Sequence, residues 1–193
     1  MTESMNLTPM TLADLPRVYR LMERDFPPAE LKQLAHLQRL FREGLSEGWL
    51  LLRGGREVGY AILLRPGEAP YTLLDYLAME ERGAGCGTAC LALLKERYPG
   101  GLLAEVEAPE AGLPPEVARL RRRRIAFYQR SGFRPCPFPN DIFGVRYLVH
   151  LWTPQPEEPD EACQAALALE ECYRRQLPPE RFRANVFITP PEG

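Results

Sequence analysis

The sequence predicts a mixed α/β fold, because stretches with the two-residue period of a strand alternate with stretches of helical period along the chain. Three glycines at alternate positions, between a strand-like run and a helix-like run at residues 82–87, support the same assignment. An arginine-rich helical segment that stops at Gly132 is the third observation. With 193 residues, 45% hydrophobic and 26% charged, the composition is that of an ordinary globular domain.

The first half of the chain predicts a strand, two helices and three further strands. Thr11 and Asp14 have the spacing of a capping box and mark the start of the first helix. Gly48 ends the second helix, and the adjacent Gly54 and Gly55 provide the two-residue turn of a β-hairpin. The predicted ranges are strands over 6–10, 49–53, 58–64 and 71–79 and helices over 12–22 and 31–45.

The second half predicts three helices and four short strands. Three prolines at alternate positions from 135 to 139 restrict one of these strands to a sheet edge or an irregular path. The proline-rich segment 154–159 is a linker by composition. We therefore predict a main domain over 1–153, with a linker, C-terminal helix and tail over 154–193 packed on it. The predicted ranges are helices over 86–98, 116–131 and 160–177 and strands over 102–106, 133–138, 145–152 and 182–188.

Charge and cysteine content exclude several classes of protein. The net charge is −2 and the pI is near 5.8, so the chain has no global basic footprint for nucleic acid or an anionic membrane. The arginines at 119 and 121–124 spread around a helix and form no single patch. No apolar run reaches the roughly 18 residues of a membrane span and no signal segment is evident, so we predict a cytoplasmic protein. Five scattered cysteines without C-x-x-C spacing indicate reduced thiols and no metal site.

The motif Arg-Gly-Ala-Gly-Cys-Gly at residues 82–87 predicts a phosphate-binding site. Alternating glycines let the backbone expose its N–H groups, and the following helix adds unpaired donors and the positive end of its dipole. A P-loop kinase is excluded because no Gly-Lys-Ser/Thr follows. The acidic-x-Gly-x-Gly-x-Gly pattern that begins at Glu81 also fits Rossmann-like methyltransferases, with Glu105 or Glu107 at the distance of a ribose-binding acid.

A second motif, aromatic-Tyr-x-x-x-Gly-Phe at residues 127–133, stands at the end of a predicted helix. The element order, this motif and Arg82-x-x-Gly85-x-Gly87 together resemble the GCN5-related N-acetyltransferases (the GNAT family) over about residues 5–152. The resemblance implies a central, mostly antiparallel sheet with helices on both faces, here with a C-terminal helical extension. It also implies acetyl-CoA as co-substrate and direct attack by an amine in a ternary complex.

The resemblance also implies which residues hold the cofactor. Backbone N–H groups of the glycine motif are expected to bind the pyrophosphate of coenzyme A. The strand before the motif is expected to pair its backbone with the pantetheine arm. The implied cofactor-binding residues are Leu77, Met79, Arg82, Gly83, Ala84, Gly85, Cys86, Gly87 and Thr88.

Tyr128 is the predicted general acid, because a phenol held near the sulfur can donate a proton to the leaving thiolate. The alternative is a tyrosine packed against the sheet with its hydroxyl bonded to backbone. Glu105 and Glu107 lie two apart on one strand and so share a face, while Asp75 is flanked by apolar residues. Any of these carboxylates can accept a proton from the amine, directly or through water. For each, pairing with an arginine is the alternative.

We predict an N-acetyltransferase that moves acetyl from acetyl-CoA to a primary amine. The alternatives are an S-adenosylmethionine-dependent methyltransferase and a non-catalytic module that binds or senses coenzyme A, since Ala84 stands where most GNAT members carry Arg or Lys. The acceptor stays open between a small amine and a peptide amine, with residues 25–30 and 138–144 as its contact surfaces. We expect no nucleic-acid or membrane partner and leave a homodimer open.

Overall fold

A computed structural model describes residues 4–81, 83, 85–155 and 159–191, in which the predicted strands and helices of the main domain follow in the predicted order, with one additional strand near residue 140. The strands are β1 (Met5–Pro9), β2 (Ser46–Arg53), β3 (Arg56–Leu64), β4 (Thr72–Met79), β5 (Leu102–Glu107), β6 (Arg134–Pro135), β7 (Asn140–Ile142), β8 (Val145–Trp152) and β9 (Val186–Ile188). The helices are α1 (Leu15–Asp25), α2 (Leu34–Arg42), α3 (Cys86–Arg97), α4 (Pro115–Arg130), α5 (Glu161–Gln176) and α6 (Pro179–Asn185). The chain divides into two compact units, residues 1–65 with 74–97 and residues 66–73 with 98–193.

The first unit is built on β1, β2, β3 and β4, which are neighbours in that order. The β2–β3 hairpin turns at Gly54 and Gly55, whose φ angles are 55° and 82°. Two positive φ angles in a two-residue turn match the right-handed twist of a hairpin, so the predicted hairpin is confirmed. The turn places Arg53 opposite Arg56 at the tip of the two strands.

The core of the first unit joins α1 and α2 to this sheet. Leu15 and Val18 of α1 and Leu37 of α2 are fully buried, and they pack with Leu50 and Ile62 of the hairpin. Complete burial of one such side chain stabilises the fold by roughly 1.5–3 kcal/mol. The apolar stripes of both helices therefore fix the position of the segment that connects them.

The second helix is shorter than predicted, and the prediction was wrong at both ends. The helix covers Leu34–Arg42 and is preceded by a separate 3-10 turn at Pro28–Glu30, while Gly48 lies inside β2. A Cβ at Gly48 would stand 2.8 Å from Met10 Sδ and 3.0 Å from Phe41 Cζ. The glycine therefore lets β2 pass close to two side chains, and it does not serve as a helix stop.

The second unit is built on β5, β8, β7 and β9, neighbours in that order, with β6 paired to β8. All of these pairings are antiparallel. The strand predicted over 133–138 is reduced to the two residues of β6, after which Cys136 N–H donates to the Val149 carbonyl at 2.8 Å. The prolines at alternate positions lack N–H donors, so the ladder cannot continue there. The strand β7 was not predicted.

The C-terminal segment contains a helix that was not predicted. Helix α5 is confirmed, but α6 occupies the first part of the range predicted as a strand, and only β9 remains of that strand. Pro179 begins α6, where its missing N–H has no helical partner to lose. The Arg174 guanidinium lies 4.7 Å from the centre of the Phe182 ring, which holds α6 against α5. The domain boundary at residue 153 stays a prediction.

The predicted fold class, mixed α/β with a mostly antiparallel sheet, is confirmed. The pairings of β1 with β2 and of β2 with β3 are antiparallel, as are those of the second unit. Helices of the described segments are all too short or too polar to cross a membrane.

Candidate functional site

Two of the predicted cofactor-binding glycines lie at an exposed turn of the first unit. Gly83 and Gly85 have φ angles of 80° and 75°, in the left-handed region that side chains rarely adopt. A Cβ at either position would meet no described atom within 4 Å. Glycine is therefore required here by the backbone conformation and not by packing within the chain. Arg82 and Ala84 lie outside the described residues.

This turn leads directly into α3. Ala89 N–H donates to the Gly85 carbonyl at 3.0 Å, so Gly85 stands at the cap of the helix. The N–H groups of Cys86, Gly87 and Thr88 precede the first intrahelical donor, and helix geometry gives them no partner within the helix. The first turn carries no acidic side chain. Together with the open glycines, these donors and the positive end of the helix dipole suit a phosphate group.

The side chain of Arg53, at the end of β2, contacts both ends of the turn. Its Nη1 donates to Glu81 Oε2 at 2.8 Å, and its Nη2 donates to Cys86 Sγ. Arg56, its partner across the hairpin, donates to the other carboxylate oxygen of Glu81. The guanidinium of Arg56 above all, and that of Arg53, hold the pKa of Glu81 below its usual value. The Glu81 carboxylate beside the turn is therefore ionised, and the positive charges of Arg53 and Arg56 balance its negative charge.

Strand β4 carries the residues predicted to pair with the pantetheine arm. Leu77 and Met79 are half-buried near its end. Gly59 of β3 allows the two strands to approach closely, since a Cβ there would lie 2.5 Å from Met79 Sδ and 2.7 Å from the Ala78 carbonyl oxygen. Strand β4 is therefore packed against β3 up to the last residues before the glycine turn.

Asp75, one of the three predicted bases, is in an ion pair. Lys32 Nζ donates to both carboxylate oxygens, at 2.7 and 2.8 Å, and the Asp75 side chain is only 8% exposed. The hydroxyl of Tyr76 accepts from Lys32 N–H at 3.0 Å and donates to the Glu30 carbonyl at 2.8 Å. Burial raises the pKa of Tyr76 to about 12. This network ties residues 30–32, next to the predicted acceptor surface, to β4.

A hydrogen bond between a tyrosine and a carboxylate of the first unit was missed by the sequence analysis. The Tyr60 hydroxyl of β3 donates to Asp25 Oδ2 at 3.0 Å, at the C-terminal end of α1. Burial, with the nearby carboxylate, raises the pKa of Tyr60 far above its usual value. No local pattern links the two residues, because the contact depends on how α1 packs over the hairpin.

Tyr128 lies at the C-terminal end of α4 in the second unit. Phe133 N–H donates to the Tyr128 carbonyl at 3.0 Å, and Gly132 N–H donates to the Gln129 carbonyl at 2.9 Å. Gly132 has a φ of 80°, so these bonds form a Schellman motif. The hydrophobic contact of that motif is also present, because the rings of Tyr128 and Phe133 meet edge to face with centroids 5.3 Å apart. The spacing of the second sequence motif thus has a structural cause of its own.

The ring of Tyr128 is also stacked on His150, to which the sequence analysis assigns no role. The centroids are 6.3 Å apart and the ring planes differ by 29°. His150 is 1% exposed, and its Nδ1 has no hydrogen-bond partner among the described residues. Burial lowers the pKa of His150, which favours a neutral ring against the phenol. Phe133 and His150 therefore hold the Tyr128 ring from two directions.

Glu105, the second predicted base, is bonded to neutral groups. Its Oε2 accepts from the Tyr173 hydroxyl of α5 at 2.6 Å, and its Oε1 accepts from the Asn140 side-chain amide of β7. Both partners are buried, with Tyr173 7% and Asn140 0% exposed. The C-terminal helix thus supplies one of the groups that fix this carboxylate.

Glu107, the third predicted base, is bonded to two arginines of α4. Arg121 donates to Oε1 at 2.6 Å and Arg124 to Oε2 at 3.2 Å. Arg119 and residues 122–123 of the same helix are exposed. The arginine run thus divides between ion pairs and solvent, in agreement with the prediction that it forms no single patch. Although Glu105 and Glu107 are alternate residues of β5, the structure brings them to different partners.

Solved structures of acetyltransferases have this architecture. An acetyltransferase assigned to the GNAT family from Bacteroides thetaiotaomicron is 21% identical, covers 84% of this chain and 95% of its own, and has a TM-score of 0.66. The chain has the GNAT fold. An acetyltransferase from Thermus thermophilus also has it, with 23% identity, coverage of 79% of this chain and 99% of its own, and a TM-score of 0.56.

A third structure of the GNAT fold contains the cofactor. Arabidopsis thaliana NAA60 in complex with acetyl-CoA is 14% identical, covers 77% of this chain and 98% of its own, and has a TM-score of 0.58. No family model matches the chain, and no curated protein matches it. The TM-scores establish the fold. The sequence identities are too low to establish an activity, which has to be argued from the residues.

The GNAT fold removes the methyltransferase alternative. The glycine turn of a Rossmann-like methyltransferase follows the first strand of a parallel sheet. Here the turn follows β4, after strands β1 to β3 that pair antiparallel. Among the described residues, no group of three or more His, Cys, Asp or Glu side chains is placed to hold a metal ion.

Proposed function

We propose that the protein is an acetyl-CoA-dependent N-acetyltransferase that acts on a primary amine. The observation that carries the proposal is the exposed turn with Gly83 and Gly85 at positive φ, which follows β4 and caps α3 in a chain of GNAT fold. The structure of NAA60 with acetyl-CoA supports this cofactor for the fold. Two exposed glycines of the turn have no side chain of their own to hinder a pyrophosphate that approaches their backbone donors.

The residues present fit coenzyme A. Acetyl-CoA would supply an activated thioester whose acetyl carbon an amine can attack. The N–H groups at 83 and 85–88 would bind the pyrophosphate, with the predicted Arg82 and Ala84 in the same stretch. The backbone of Leu77 and Met79 would pair with the pantetheine arm, because an extended amide chain can add to a strand edge. These contacts use backbone atoms, so they depend on conformation more than on residue identity.

Tyr128 would act as the general acid. Its phenol Oη would give a proton to the sulfur of the departing coenzyme A, a type of assistance worth about 10²–10⁴ in rate. The edge-to-face contact with Phe133 and the stack on His150 support this role, because they restrict the ring to one orientation. A proton donor with a fixed direction contributes more than one that must first be ordered.

Glu105 fits the role of base better than the other two carboxylates. Proton uptake by Asp75 would leave Lys32 without its counter-charge, and proton uptake by Glu107 would do the same to two arginines. The bonds of Glu105 to Asn140 and Tyr173 are to neutral groups, so its protonation leaves neither of these two partners with an unbalanced charge. We therefore assign proton acceptance from the amine to Glu105, directly or through one water.

A thermal-shift titration with acetyl-CoA, coenzyme A and S-adenosylmethionine tests the cofactor. A ligand at about 100 times its Kd stabilises the fold by about 2.7 kcal/mol, which raises the unfolding midpoint visibly. We expect a response to the two coenzyme A species alone. A response to none of the three would overturn the cofactor assignment.

Transfer itself is tested by thiol release from acetyl-CoA with a panel of amines. Peptide N-terminal amines come first, because a ribosomal-protein-alanine N-acetyltransferase from Brucella melitensis has the same fold, with 24% identity and a TM-score of 0.53. Small diamines and lysine side-chain amines complete the panel. Coenzyme A binding without release by any amine would favour the non-catalytic binding module.

A further inference from the structure

We propose that Arg53 is a positioning residue that preorganises the glycine turn for its phosphate ligand by bonding both ends of it at once. The binding part of this inference rests on the proposed function, whereas the ordering of the turn does not. Arg53 carries no sequence signature, since it lies on β2, 28 residues before Glu81 and 33 before Cys86.

The geometry of the contact supports a two-ended tie. Nη1 of Arg53 donates to Glu81 Oε2 at 2.8 Å, and Nη2 of the same guanidinium donates to Cys86 Sγ. Glu81 precedes the turn, and Cys86 is the first residue of α3. A guanidinium is planar and presents its donors in a fixed fork, so the distance between its two acceptors is fixed as well. A single rigid guanidinium therefore connects the residue before the turn to the first residue of α3.

Packing does not order the two described glycines of the turn, so a tie between its ends can contribute to its order. The described glycines of the turn are exposed, and a Cβ at Gly83 or Gly85 would meet no described atom within 4 Å. Glycine has the largest conformational freedom to lose, so an ordered turn of this composition is costly to form. If the turn is already ordered in the free protein, the ligand does not have to order it on binding and therefore binds more tightly.

The hairpin is well suited to hold the guanidinium still. The side chain of Arg53 is only 17% exposed, and the residue directly precedes the tight turn at Gly54 and Gly55. Arg56, on the other side of that turn, also bonds Glu81 but is 66% exposed. Among the described residues, the one ion pair of Arg56 is with Glu81. The two arginines therefore carry the same charge near the same acid, and one of them reaches α3.

This difference makes Arg56→Ala a matched control. If Arg53 contributed to coenzyme A affinity only by its positive charge, Arg53→Ala and Arg56→Ala would weaken coenzyme A binding to a similar extent. If Arg53 contributes by bonding both ends of the turn, Arg53→Ala weakens coenzyme A binding more than Arg56→Ala does. Arg53→Lys then fails to restore the binding, because an ammonium is a point charge without the forked donors of a guanidinium. Each variant is first melted to show that it is folded.

The experiment combines calorimetric titration of coenzyme A with hydrogen exchange of residues 81–88 in the free proteins. We expect Arg53→Ala and Arg53→Lys to lower coenzyme A affinity about tenfold or more and to speed exchange in this segment. Arg56→Ala is expected to stay within about twofold of the wild type.

Equal losses in the Arg53 and Arg56 variants, full rescue by lysine, or unchanged exchange in Arg53→Ala would each overturn the inference. Failure of the proposed function has a different signature, since the wild type itself would then not bind coenzyme A. In that case the exchange data still decide whether Arg53 orders the turn.

Discussion

The glycine turn before α3 and the helix end after Tyr128 are the two places where the sequence carries a motif, and they differ in what the motif does. At the first, Gly83 and Gly85 have open space around them, and packing within the chain does not explain why they are glycines. At the second, Gly132 and Phe133 complete a Schellman motif with its apolar contact. The first motif lies at an exposed turn where we propose that a ligand binds, whereas the second forms a helix cap.

Because of this difference, the glycine turn supports an acyltransferase function more strongly than the helix end does. A helix that ends in tyrosine, a left-handed glycine and phenylalanine is stable for reasons unrelated to acyl transfer. The described glycines of the turn have no such internal reason, because their conformation costs free energy and a Cβ at either would meet no described atom within 4 Å. We therefore expect mutations at the helix end after Tyr128 to reduce stability and mutations in the glycine turn to reduce ligand binding.

The largest expected effect is on stability, from Phe133→Ala. Phe133 is 2% exposed and closes the cap of α4 against Tyr128. We expect a loss of about 3–5 kcal/mol in the free energy of unfolding, measured by urea denaturation. Phe127→Ala is the control, since the Phe127 ring also touches the Tyr128 ring but is only half-buried and does not form the contact with Phe133 that closes the cap. Equal losses in the two variants would show that the cap has no special role.

Tyr128→Phe should instead affect turnover. The variant keeps the aromatic contacts with Phe133 and His150 but lacks the phenol proton. We expect turnover with the best amine of the panel to fall about 10²–10⁴-fold, while coenzyme A affinity and the unfolding midpoint stay close to wild type. If turnover is retained, the hydroxyl is not the proton donor and the tyrosine serves the cap alone.

Gly85→Ala and Gly132→Ala form the sharpest comparison between the regions. The φ angles are 75° and 80°, so alanine is strained to a similar extent at both, by about 1–2 kcal/mol of stability. We expect coenzyme A affinity to fall at least about tenfold in Gly85→Ala and to remain unchanged in Gly132→Ala. Calorimetric titration beside urea denaturation separates the two quantities. An affinity loss shared by both variants would mean that the glycine turn is not the phosphate site.

The smallest effect is a pH dependence of stability at His150. Its folded pKa lies below the unfolded value of about 6.5. The unfolded chain therefore binds a proton first, and stability falls as pH drops below about 6.5, by up to about 1.4 kcal/mol per pH unit. His150→Gln lacks this slope, so its deficit against wild type should shrink between pH 7 and pH 5.5 in urea denaturation. A constant deficit would contradict the depressed pKa.

Local sequence predicted those elements of the fold that have a local cause. The hairpin at Gly54 and Gly55 and the stop of α4 at Gly132 both depend on backbone geometry within a few residues, and both are confirmed. Gly48 was misassigned because its reason is tertiary, namely the close passage of Met10 and Phe41. Residues 182–185 were predicted as part of a strand that continues to Ile188, but they lie in α6, where Phe182 packs against Arg174 of α5.

The candidate site divides in the same way. The glycine positions and Tyr128 are visible in the sequence, because motif spacing reports local conformation. Arg53 and His150 are not, since each acts on a residue far away along the chain. The ion pair of Glu107 with α4 was foreseen only as one alternative, because no local pattern decides which arginine meets which acid.

The bond between Glu105 and Tyr173 has a consequence for how the protein is made. The two residues are separated by 68 positions, and β9 pairs with β7 as the last strand along the chain. A ribosome adds about 5–20 residues per second, so several seconds pass between the synthesis of β5 and that of α5. The secondary structure of the first unit is complete in the chain by residue 97, whereas the carboxylate that we propose as base meets Tyr173 only after 68 further residues have been added.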